Sequence, residues 1–143
     1  MTDYLATFRT RLLHAEALVE LARGQQDLAD AGDYDGLIDS LERKQRIIDR
    51  MADAADEHLR REWLIDREDL AADVRSECDA LLARCERCLD DTLILERRAI
   101  DTVTAARDKV NADLHNLTAA RPAQSGYAEQ IVPPQRSLLD LTR

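Results

Sequence analysis

Residues 66–117 read DREDLAADVRSECDALLARCERCLDDTLILERRAIDTVTAARDKVNADLHNL, fifty-two positions without a Gly or a Pro. Their apolar members recur every three or four positions: Leu70, Val74, Cys78, Leu81, Cys85 and Leu89, then Leu95, Ala99, Val103, Ala106, Val110, Leu114 and Leu117. That period draws one stripe along an α-helix, with acidic and basic residues on the other face. At the ordinary helical rise the stretch spans about 75 Å, far beyond a typical globular helix. An apolar stripe of that length needs a cover, and whatever lies before it must supply one.

Working back toward the amino terminus, Ala31-Gly32-Asp33-Tyr34-Asp35-Gly36 is the sharpest punctuation in the chain. A glycine suited to the residue after a helix is followed at once by a carboxylate suited to the cap of the next. So short a turn joins antiparallel neighbours. Before it, Leu5, Phe8, Leu12, Ala15, Val19, Ala22 and Ala29 keep helical spacing, with Gln26 at the one polar place. Leu13, Leu18, Leu21 and Leu28 widen the stripe, as for a helix touching two neighbours. After it come Leu37, Leu41, Ile48, Met51, Ala55 and Leu59, flanked by Ile38, Ile47 and Ala52 and interrupted by Lys44 and Gln45, long side chains that reach water from a bundle edge. Trp63-Leu64-Ile65 breaks that pattern. Asp66 is then read as the cap of the third helix, with Ile65 and Leu70 as a hydrophobic staple, although no Gly or Pro forbids a helix running straight through.

Working forward, Arg121-Pro122 is expected to end the helix. Gly126 and Pro133-Pro134 mark an extended tail closing in Ser137, Leu138, Leu139 and Leu141. The expected architecture is all-α: an antiparallel helical hairpin packed on a long third helix, an elongated three-helix bundle. Its helices cover about 3–31, 34–62 and 67–118 of a bundle spanning 1–121, with a tail at 122–143. A fold-back to four helices remains open if the third helix breaks at Asp90-Asp91-Thr92.

Composition narrows the function. Charged residues are 34% of the 143, aromatics only 3%, and the net charge is −9. A chain so acidic does not approach nucleic acid or an anionic membrane as its main partner. No apolar run is long enough for membrane insertion, and the first residues lack a basic start and apolar centre, so a cytoplasmic location is expected. Three cysteines, Cys78, Cys85 and Cys88, lie on one side of the long helix. They read as small apolar members of the stripe, or as a metal cluster completed by His14 or His58. No phosphate loop, Glu-x-x-His pair or nucleophile elbow is present, so neither an enzyme nor a cofactor is expected.

The hairpin helices, each under thirty residues, reach along the long helix only to about Leu95. Ala99, Ile100, Val103, Ala106, Val110, Leu114 and Leu117 are therefore expected to stand open as a partner-binding seam, with Leu138, Leu139 and Leu141 of the tail as a second docking element.

The series Gln25/Gln26, Gly32-Asp33-Tyr34-Asp35, Leu37, Lys44-Gln45 and Ile48, with Tyr127 and Leu138-Leu139-Asp140 near the end, resembles the FlgN-type flagellar export chaperones over the hairpin and tail. The resemblance implies a non-enzymatic chaperone for hook-associated filament-junction proteins. It would bind their unfolded C-terminal parts before type III export and pass them to an export-gate component. The family binds its clients through the C-terminal helical part, which falls on the seam from Ala99 to Leu117. The cysteines and Pro133-Pro134 stand outside the resemblance. The alternative is a scaffolding bundle whose seam mates with a second copy as a homodimer.

Overall fold

A computed structural model describes residues 2–52 and 56–131, with side-chain surroundings for 2–52 and 57–121. Four α-helices follow in order: α1 (Tyr4–Ala31), α2 (Tyr34–Ala52), α3 (Asp56–Asp66) and α4 (Ala72–Ile131), with one 3₁₀ turn, Arg67–Asp69, before α4. Among the described residues there is no strand. The chain divides into two compact units, Met1–Val103 and Thr104–Arg143.

In the first unit α1 is the central helix. The Asp3 carboxylate caps its start by accepting from the Ala6 N–H at 3.0 Å. Gly32 ends it in the left-handed region at φ 67, donating its own N–H to the Ala29 carbonyl, while Asp33 N–H reaches the Leu28 carbonyl at 2.9 Å. Asp33 then accepts from Gly36 N–H at 2.9 Å and opens α2, the role its place in the sequence indicates. A Cβ at position 36 would lie 2.6 Å from the Asp33 carboxylate and 2.9 Å from Leu28 Cδ2, so glycine lets the turn close this tightly.

Tyr4, Phe8, Leu12, Ala15, Leu18, Val19, Ala22, Gln25 and Ala29 are buried along α1, more than one stripe can hold, as for a helix with neighbours on two sides. α2 returns beside it. The first part of α4 runs parallel to it: Arg9 pairs with Glu77, Glu16 with Arg84 at 3.1 Å, and Gln26 donates to Thr102 at 3.0 Å, both chains counting upward together. Tyr4, Phe8, Leu12, Trp63, Cys78, Leu81 and Cys85 form the core at the α3 end. Trp63 meets the Tyr4 and Phe8 rings edge-on, each with centroids 5.2 Å apart, and the Arg67 guanidinium lies 5.6 Å from the Trp63 centroid.

The helix expected over 34–62 is described as α2 up to Ala52 and α3 from Asp56, and residues 53–55 between them lie outside the described residues. Three sequence expectations are corrected. Asp66 does not cap a helix starting at 67. It closes α3, its carboxylate accepts from the Tyr4 hydroxyl at 2.6 Å, Ile65 is exposed, and α4 starts at Ala72. On α2 the inward side carries Leu37, Ser40, Lys44, Ile47 and Met51, while Leu41 and Ile48 of the expected stripe are exposed. The long helix passes through Pro122 to Ile131 rather than ending at Arg121-Pro122, because proline's fixed φ is helical and solvent can take the carbonyl it leaves without a donor. α4 is also unbroken at Asp90–Thr92: the Thr92 hydroxyl donates to the Cys88 carbonyl at 2.8 Å within its own helix, and both aspartates face outward.

A candidate protein-binding face on the long helix

The expected seam is not one uniform surface. In the first unit Ala99 is buried at 6% exposure, contrary to expectation, because cover on α4 continues past Leu95: Gln26 of α1 reaches Thr102, and Lys44 of α2 reaches Glu96. Ile100, one position on, is 64% exposed, and Val103 is half-buried.

In the second unit Ala106 is half-buried, and every residue from Arg107 to Arg121 is exposed. Val110 and Leu114 are each 55% exposed and Leu117 is 67% exposed. Their three- and four-residue spacing puts them in one line along a single helix. Isolated exposed leucines are ordinary, but several in register form a surface able to take another apolar face. Leu138, Leu139 and Leu141 lie outside the described residues.

Two exposed apolar groups escaped the sequence reading. On α2, Tyr34, Ile38, Leu41 and Ile48 form an outward line; on α4, Leu93 and Ile94 stand open beside Ile100. The signal for the first was Lys44. Its side chain turns inward with only 19% exposure to pair with Glu96, at 21%, and the inward side of the helix centres on Ser40, Lys44, Ile47 and Met51, which leaves Leu41 and Ile48 exposed on its flank.

Cys78 and Cys85 are buried in the aromatic end of the core and Cys88 is half-buried; all three are free thiols. Burial pushes the Cys78 and Cys85 thiols upward, reinforced at Cys78 by Glu77 and countered at Cys85 by Arg11, which is the opposite of a reactive thiolate. His58 pairs with Glu62 at 2.9 Å, and His14 lines a cavity of about 340 Å³ with Thr10, Arg50, Met51 and Leu59. A second cavity of about 480 Å³ is lined by Phe8, Trp63, Leu82 and Cys85 together with Arg60 and Glu86. Among the described residues no group of three or more His, Cys, Asp or Glu is placed to hold a metal ion, and no helix is long and apolar enough to cross a membrane.

Comparison with protein-family models, with curated proteins and with solved structures finds no match to this chain.

Proposed function

We propose that this chain is a cytoplasmic, non-enzymatic secretion chaperone of the FlgN type. In this reading α1, α2 with α3, and the first part of α4 act as an elongated three-helix bundle. The remainder of α4 receives a client, a C-terminal segment of a hook-associated or filament-junction protein held before type III export. The observation that carries the reading is the line of Val110, Leu114 and Leu117, each more than half exposed. A client segment that is unfolded before export would form an amphipathic helix on this line, and both partners would bury apolar surface without chemistry or nucleotide. Ordering the client costs several kcal/mol, so the affinity fits a partner that must later be released.

The test is titration of a hook-associated protein's C-terminal fragment into the full chain and into a Val110→Asp, Leu114→Asp variant. The variant is expected to lose at least tenfold in affinity, about 1.4 kcal/mol, with its helix content unchanged. Equal binding by the two proteins would remove this surface from the client site.

A further inference from the structure

The apolar line in the second unit is bounded by cations. At about 3.6 residues per turn, Arg107 and Arg121 fall on the same stripe as Val110, Leu114 and Leu117. They are fourteen positions apart in the sequence, about 21 Å along the axis. Asp108 falls on the opposite side of the helix and Asp113 on a flank. Arg107 touches Asp108 at 3.2 Å, with both side chains about two-thirds exposed, a surface pair that competes weakly with a better partner. Among the described residues Arg121 has no carboxylate partner. Residues 104–143 hold five Lys or Arg and four Asp or Glu, net +1, while the chain as a whole is −9.

This arrangement works against self-pairing. In an antiparallel pair centred on Leu114, Arg107 faces the partner's Arg121, since the two lie seven positions either side of Leu114. In a parallel pair in register, each arginine meets its own equivalent. Either geometry brings like charges together at both ends of the apolar line, which costs a symmetric dimer stability. A helix with carboxylates in those two places would meet opposite charges instead.

From this we infer that the α4 surface from Ala106 to Arg121 selects an amphipathic helix whose apolar stripe is closed at each end by a carboxylate, fourteen residues apart, and rejects a second copy of this chain. The inference rests on the chaperone reading and adds the chemistry by which a client is chosen: apolar residues supply contact area, and the two end charges fix direction and register.

Two synthetic peptides of about twenty residues test it, long enough to form a helix on a surface. They share the same apolar positions and carry either Glu or Lys at the two sites fourteen apart. Fluorescence anisotropy against the full chain at low salt is expected to show the Glu peptide binding about tenfold more tightly than the Lys peptide. An Arg107→Glu, Arg121→Glu variant of unchanged helicity is expected to reverse the order. Equal affinity for the two peptides overturns the charge selection and leaves the client reading standing. If neither peptide binds, and the Val110→Asp, Leu114→Asp variant still takes a hook-associated fragment, both fall. Light scattering that finds a stable dimer broken by Val110→Asp overturns the inference by naming a second copy as the occupant.

Discussion

The two parts of α4 carry the same pattern under different conditions. In the first unit Cys78, Leu81, Cys85, Thr92 and Ala99 are turned onto a core and almost wholly buried; in the second, Val110, Leu114 and Leu117 repeat the spacing in the open. Sequence periodicity is indifferent to this distinction. It records that a face is apolar, while neighbours decide whether that face becomes core or surface. The residues next to each stripe differ as well. Arg9, Glu16 and Gln26 of α1 find Glu77, Arg84 and Thr102 beside the covered part, whereas Arg121 has no carboxylate partner among the described residues.

The comparison can be broken most easily by substitutions in the core that covers the first stripe and on the second stripe itself. Phe8→Ala or Trp63→Ala is expected to cost about 3–5 kcal/mol in chemical denaturation, because each empties a buried aromatic site. Val110→Asp is expected to stay within about 0.5 kcal/mol of the parent. A large loss at Val110 would mean that the second stripe is covered after all.

Next in size is the polar contact that seals the covered part. Glu96→Ala leaves the Lys44 ammonium in its largely buried place without a partner and is expected to cost about 1–3 kcal/mol. Lys44→Met with Glu96→Leu, which removes both charges, is expected to recover most of that loss. Failure to recover would show that the pair specifies the α2–α4 contact rather than being tolerated there.

A smaller effect concerns alkaline pH. Burial, then the hydrogen bond to Asp66 and the nearby Asp66 and Glu62 carboxylates, push the Tyr4 phenol up to about 12. An unfolded tyrosine titrates near 10. Between those values the unfolded chain has lost a proton that the folded chain keeps, so stability is fully present below about pH 10 and declines as pH rises toward 12. Tyr4→Phe is expected to remove this dependence at a cost of about 1 kcal/mol near neutrality, read from denaturation midpoints across the pH series. The least effect on stability belongs to thiol labelling. Cys78 and Cys85 are expected to react with a thiol reagent at neutral pH only as fast as the bundle opens, so mild denaturant should accelerate labelling steeply.

Where contacts are local, the sequence told the structure well. The α1–α2 turn was legible to the residue because Gly32, Asp33 and Gly36 do their work within five positions. The all-α class followed from spacing alone. Apart from the helix end expected at Pro122, a local misreading, the errors lie where a distant partner decides. Asp66 reads as a helix cap until Tyr4, sixty-two positions away, claims its carboxylate. Lys44 reads as an edge residue until Glu96 draws it inward. Ala99 reads as open because a small residue in a stripe says nothing about where its cover stops. Arg107 and Arg121 were passed over for a different reason: a search for apolar periodicity skips the charges that punctuate it.

The three polar pairs between α1 and α4 behave together like the marks of a vernier scale. Slide α4 by one turn in one direction and Arg9 still finds a carboxylate, Asp73, but Glu16 meets Ala80 and Gln26 meets Arg98. Slide it the other way and the same three residues meet Leu81, Cys88 and Ala106. The two exposed ion pairs add little to stability, yet only one alignment brings all three contacts into coincidence. A long helix with a repeating apolar stripe fits its neighbour almost as well one turn out of step, so these pairs fix the register of α4 on α1 within the first unit.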